Sequence, residues 1–186
     1  MLNTASGNLQ KENIERINRE NFRVMMDCLS RPGSEGKLEP LFGSPMLAAA
    51  STLLYQEVSW FSLTEEDFTD VALLTGSREK PLESADYVFC GKPSAEILPL
   101  LKKGTHESPE LGATVFFMCD GITKVKALLT GPGIDCEKTV SLPVDEKFAA
   151  AFRAVNAHFP VGTDVFFIGA DGTMTALART TSLEVL

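Results

Sequence analysis

A chain of 186 residues suits one domain with a core of its own, and 44% apolar with 23% charged residues is the balance of a globular protein in water. The formal charge of −8 and pI near 4.8 argue against a nucleic-acid partner, which calls for a basic face, and against an anionic membrane surface. No apolar stretch is long enough to span a bilayer and the N-terminal residues carry no hydrophobic signal region, so a cytoplasmic location is expected, with residues 1–10 flexible.

In chain order, Lys11 to Ser30 reads as a helix, with Phe22, Met25, Met26 and Leu29 forming one apolar face. Arg31-Pro32-Gly33 stops it. Ser44-Pro45 opens a second helix, predicted to reach about Gln56. Val58–Leu63 reads as a strand, and Thr64-Glu65-Glu66 as the capped start of a third helix that ends before Gly76. Tyr87–Cys90 is a short buried strand, and Ser94–Lys103 a helix with two lysines at its C-terminal end. A turn-rich loop, Gly104–Gly112, leads into strand Thr114–Cys119. Asp120-Gly121 then suggests a hairpin with a return strand at Lys124–Leu129. After the Thr130–Gly133 turn come a brief strand, Thr139–Leu142, and an amphipathic helix, Asp145–His158. The last hairpin joins Val165–Ile168 to Thr173–Ala178 through Asp171-Gly172, read as a two-residue turn.

Strands alternate with helices early and hairpins dominate late. This points to an α/β domain of three layers, α/β/α, with a mixed sheet covered by helices. Val115-Phe116-Phe117-Met118 is echoed fifty residues later by Val165-Phe166-Phe167-Ile168, which reads as convergence on good hairpin chemistry. No glycine-rich nucleotide fingerprint follows a strand. The four cysteines are widely spaced, and Cys90 and Cys119 read as inert core residues. His106 and His158 have no partner at metal-ligand spacing, so no metal site is expected. None of the lysines sits in a recognisable Schiff-base setting.

The polar residues that stand out fall into three groups: Arg23 and Arg31 at the end of the first helix; Gly104, Thr105 and Glu110 in the central loop; and Arg179, Thr180 and Thr181 after the last hairpin. Two arginines with hydroxyls could seat an anion through bidentate bonds. Glu110 could instead pair internally with one of the arginines and lock the loop. No catalytic residue is assigned, because no nucleophile and base are suggested by spacing.

Several motifs resemble those of the PhnH family, the H subunit of the carbon–phosphorus lyase system. They are Phe22-Arg23-x-x-Met26 through Leu29-Ser30-Arg31-Pro32-Gly33, Gly104-Thr105, Pro109-Glu110-x-Gly112-Ala113-Thr114, and Leu129-Thr130-Gly131-Pro132-Gly133-Ile134. Phe159-Pro160-x-Gly162-x-Asp164 and Ala176-Leu177-x-Arg179-Thr180-Thr181 complete the set, in order and across nearly the whole chain. Thr163 stands where that family usually has isoleucine, and Ala178 where it has proline. The resemblance implies a fold like the large domain of PLP-dependent transferases without the cofactor. It implies a homodimer when isolated and a complex with the G, I and J subunits. That complex makes ribose 1-alkylphosphonate 5-triphosphate from ATP and an alkylphosphonate, with the H subunit as accessory. The alternative reading is a free-standing protein or enzyme that binds a nucleotide or phosphonate through Arg23, Arg31 or Arg179.

Overall fold

A computed structural model describes residues 4–186; the first three residues of the 1–10 segment expected to be flexible lie outside it. Among the described residues four α-helices occur, α1 (Thr4–Ser30), α2 (Pro45–Leu53), α3 (Thr69–Thr75) and α4 (Glu146–Val155). Among the described residues no helix is long and apolar enough to cross a membrane.

The main sheet has seven strands: β1 (Gly36–Lys37), β2 (Ser59–Leu63), β3 (Arg78–Glu79), β4 (Tyr87–Cys90), β5 (Thr114–Met118), β8 (Asp164–Ile168) and β9 (Thr173–Leu177). Their spatial order is β1-β9-β8-β5-β4-β2-β3. From β8 to β3 the strands are parallel, whereas at the other edge β9 pairs antiparallel with both β8 and β1. A second sheet holds β6 (Val125–Thr130), β7 (Lys138–Leu142) and β10 (Ser182–Val185), all antiparallel in the order β10-β6-β7.

The mixed α/β architecture follows from the strand residues. Parallel strands buried on both faces need continuous apolar runs. Phe89, Phe116 and Phe166 lie opposite one another on β4, β5 and β8 and stack at centroid distances of 5.2 and 4.8 Å. They face α1, α2 and α3. The alternate residues Cys90, Phe117 and Phe167 face the other core, filled by α4 and the small sheet through Phe148, Phe152, Leu129 and Leu183. The echo between the two apolar runs thus has a spatial meaning. Val115 to Met118 lie in register beside Val165 to Ile168, so valine meets valine, phenylalanine meets phenylalanine twice, and Met118 meets Ile168 across one ladder.

Several local expectations are corrected. The buried face of α1 is Ile17, Asn21, Met25 and Cys28, while Phe22 and Met26 are exposed. Asn21 disguised that face. Its amide pairs with both backbone groups of Glu39, so a polar residue occupies a core position with its bonds satisfied. Helix α2 ends at Leu53, short of Gln56, and α3 starts at Thr69 rather than Thr64. Thr64 and Asp67 instead accept bonds from the backbone of Glu66 and Thr69, which builds turns in place of the first helical turn. Ser94–Lys103 forms no α-helix, only a 3-10 turn at Leu98–Leu100, in keeping with Pro99 removing a backbone donor. Asp120-Gly121 does not close a hairpin: β5 pairs with β4 and β8, and β6 leaves for the second sheet.

The final hairpin forms as expected, but its turn spans Gly169 to Gly172. Gly172 N–H donates to Gly169 O, and Gly172 (φ 85°) rather than Asp171 takes the left-handed conformation. Strands β1, β3 and β10 had no sequence signal, being two to four residues long.

Candidate functional site

Asp164 opens β8, and Arg179 follows the last residues of its antiparallel neighbour β9. The β8–β9 register therefore brings the two residues together. Arg179 N–H donates to Asp164 Oδ1 at 2.7 Å, and its Nε and Nη2 donate to Oδ2 at 3.1 and 2.6 Å. Its Nη1 donates to the carbonyl of Pro109 at 2.6 Å. The two side chains are only 16% and 15% exposed, so each charge relies on the other. Three of the five guanidinium N–H groups are thereby held by the chain itself.

This pair draws three separate motifs onto one point. Gly112 packs so tightly that an added Cβ would collide with the Gly162 carbonyl and lie 2.9 Å from Arg179 Nη1. Gly162 (φ 151°) leaves no room for a side chain against the Asn156 amide. Gly162 N–H donates to Lys103 O at 2.9 Å, and Asn156 Oδ1 accepts from Thr163 N–H at 2.8 Å. The loop before β5, the approach to β8 and the exit from β9 form one interlocked unit.

The other singled-out residues stand elsewhere. Glu110 is exposed and pairs with none of the three arginines among the described residues; the acid that holds Arg179 is Asp164. Arg31 makes an exposed pair with Asp27 one helical turn away, 2.8 Å. Arg23 is exposed, with no ion pair among the described residues. Gly104 (φ 74°) and Thr105 shape the loop, with Thr105 Oγ1 accepting from Ser108 N–H at 2.9 Å. Thr180 and Thr181 line a cleft of about 480 Å³ with Arg153, Asn156, Phe159 and Arg179. Arg153 donates there to Leu183 O at 2.7 Å and to Glu146 at 2.9 Å. Thr181 is buried, and its hydroxyl has no partner among the described residues. Chemically the cleft offers part-engaged cations and hydroxyls, a setting for weak anion contact.

A second charged hub centres on Asp86. Asp86 accepts from Lys102 Nζ and from the Ser59 backbone and hydroxyl, at 2.7 and 2.5 Å for the latter two. Burial alone would push its carboxyl up, but the bonds from Lys102 and Ser59 prevail and hold it below the usual range. The only sequence signal for this hub was Lys102 itself, read as a helix-end cation. Burial pushes the Cys90 and Cys119 thiols up to about 12, too high to serve as nucleophiles near neutral pH. Among the described residues no group of three or more His, Cys, Asp or Glu is placed to hold a metal.

A family model described as bacterial phosphonate metabolism protein (PhnH) matches residues 12–184. No curated protein matches the chain.

Proposed function

This chain belongs to the PhnH family of bacterial phosphonate metabolism proteins, and we propose that it serves there as an accessory subunit of the carbon–phosphorus lyase system. Its partners are the G, I and J subunits, and the complex makes ribose 1-alkylphosphonate 5-triphosphate from ATP and alkylphosphonate. Alone it is a cytoplasmic homodimer, with the fold of a PLP-transferase large domain in three layers and no PLP of its own. The observation that carries this reading is a family match over residues 12–184. The site geometry supports it: the conspicuous arginine of the C-terminal motif is engaged in bracing three segments of its own chain. The roles of the motif residues follow. Gly104, Thr105, Arg179, Thr180 and Thr181 shape the surface, and Arg23, Arg31 and Glu110 are exposed on it as contacts for partners.

Co-purification tests the proposal. Tagged chain expressed with the G, I and J subunits should recover all three, and Arg23→Glu or Glu110→Lys should lower the yield. Recovery of none of the three overturns it.

One observation favours a second reading, a free-standing small-molecule binder. The cleft beside Arg179 retains unengaged guanidinium N–H groups and the unpartnered Thr181 hydroxyl. Calorimetry of the isolated chain with ATP or an alkylphosphonate separates the two. Micromolar binding that is lost in Thr181→Val supports this second reading, and heatless titrations remove it.

A further inference from the structure

A cavity of about 520 Å³ lies on the α3 side of β2, reaching beyond that strand's C-terminal end, far in sequence from the Arg179 unit. Carboxyl ends of parallel strands are where open α/β sheets place ligands. Two residues of its wall each carry a buried polar atom that has no partner among the described residues. Trp60 is 8% exposed, and its indole N–H finds no acceptor. Glu66 Oε2 is buried with no donor.

The Glu66 carboxylate cannot readily turn away to find one. Its Oε1 accepts from Ser44 Oγ at 2.8 Å, and Ser44 in turn caps α2 by accepting from Met46 N–H at 3.0 Å. Its backbone N–H donates to Thr64 Oγ1 at 3.2 Å. The second oxygen of this cavity-lining residue is therefore held in place, desolvated and unpaired, which is costly unless a donor arrives. The remaining wall has a consistent chemistry. Phe68 stacks on Trp60 at 4.9 Å and 17°, giving an apolar side. Asp67 and Glu79 add negative charge, Ser62 and Thr64 add hydroxyls, and among the described residues no lysine or arginine lines it.

We propose that this cavity binds a small organic ammonium compound that also carries a hydrogen-bond acceptor. The ammonium donates to Glu66 Oε2 and the acceptor, a hydroxyl in the simplest case, receives the Trp60 indole N–H. The carboxylates exclude anions, and the aromatic wall favours an organic cation over a hydrated metal ion. The inference is independent of the accessory-subunit reading, since none of these residues belongs to the Arg179 unit.

Trp60 is the sole tryptophan of the chain, so its emission reports on the cavity directly. The probe is ethanolamine, titrated to about 10 mM in amine-free buffer, by tryptophan fluorescence and calorimetry in parallel. A saturable change in emission is expected, with ethylene glycol binding roughly ten-fold more weakly for lack of the charge. Glu66→Gln keeps the acceptor for Ser44 and is expected to weaken ethanolamine roughly ten-fold while circular dichroism stays unchanged. The wild-type titration stands by itself if that variant fails to fold. No saturable binding, binding that leaves Trp60 emission unmoved, equal binding of ethylene glycol, or a folded Glu66→Gln that titrates like wild type would each overturn the proposal.

Discussion

The Arg179 unit and the Trp60 cavity are opposite solutions to the problem of burying polar groups. At Arg179 a cation, a carboxylate and a carbonyl meet with their main bonds made. At Trp60 an indole N–H and a carboxylate oxygen are buried with none. A satisfied network rigidifies, while an unsatisfied one carries a cost that an arriving ligand group can offset. The conspicuous motif residues are thus the poorer place to look for a ligand, and an unremarkable stretch of sequence is the better one.

The largest effect that could break this contrast is at the clamp. Arg179→Ala should cost about 3–5 kcal/mol in urea unfolding, because Asp164 is left buried without its counter-charge. Removing Asp164 as well should recover part of that loss, and a double-mutant cycle measures the coupling. A loss below about 1 kcal/mol would mean that the unit is no clamp.

The Asp86 hub sharpens the comparison through pH. Asp86→Asn should cost about 2 kcal/mol near neutrality, through the bonds of Lys102 and Ser59 to the charged form. The folded carboxyl is depressed, so its stabilisation is complete above the unfolded value of about 4 and disappears as pH falls through the lower folded value. Urea midpoints of the two proteins should therefore stay apart from neutrality down to about pH 5 and converge in stronger acid.

A smaller effect is expected at Thr163, fully buried beside the clamp with an unpartnered hydroxyl. Thr163→Val should gain about 1 kcal/mol in the same assay. Glu66→Gln should move stability least, within about 1 kcal/mol, since Ser44 keeps its acceptor and the change removes an uncompensated charge. Loss of stability at Arg179 with none at Glu66 would establish the contrast, and equal losses would erase it.

What local sequence determined is the set of elements with strong, self-contained signals. The apolar runs at Val115 and Val165 form buried strands, Ser44-Pro45 and Asp145 open helices, and Gly172 closes the last hairpin. Each depends on neighbours a few residues away, so composition and spacing suffice. The C-terminal motif was visible too, including Asp164, but its partnership was not. Glu110 and Asp164 are both acids within motifs, and only the β8–β9 register selects between them.

Tertiary structure alone decided the rest. The strand after Asp120-Gly121 joins a different sheet, because parallel pairing with β4 and β8 already uses both edges of β5. Lys102 turns to Asp86 and leaves its predicted helix unformed. Trp60 and Glu66 share a cavity through the bond that ties Glu66 to Ser44, across twenty-two residues of chain. Whether a buried polar atom has a partner depends on residues far away in sequence, so no local pattern could have revealed it.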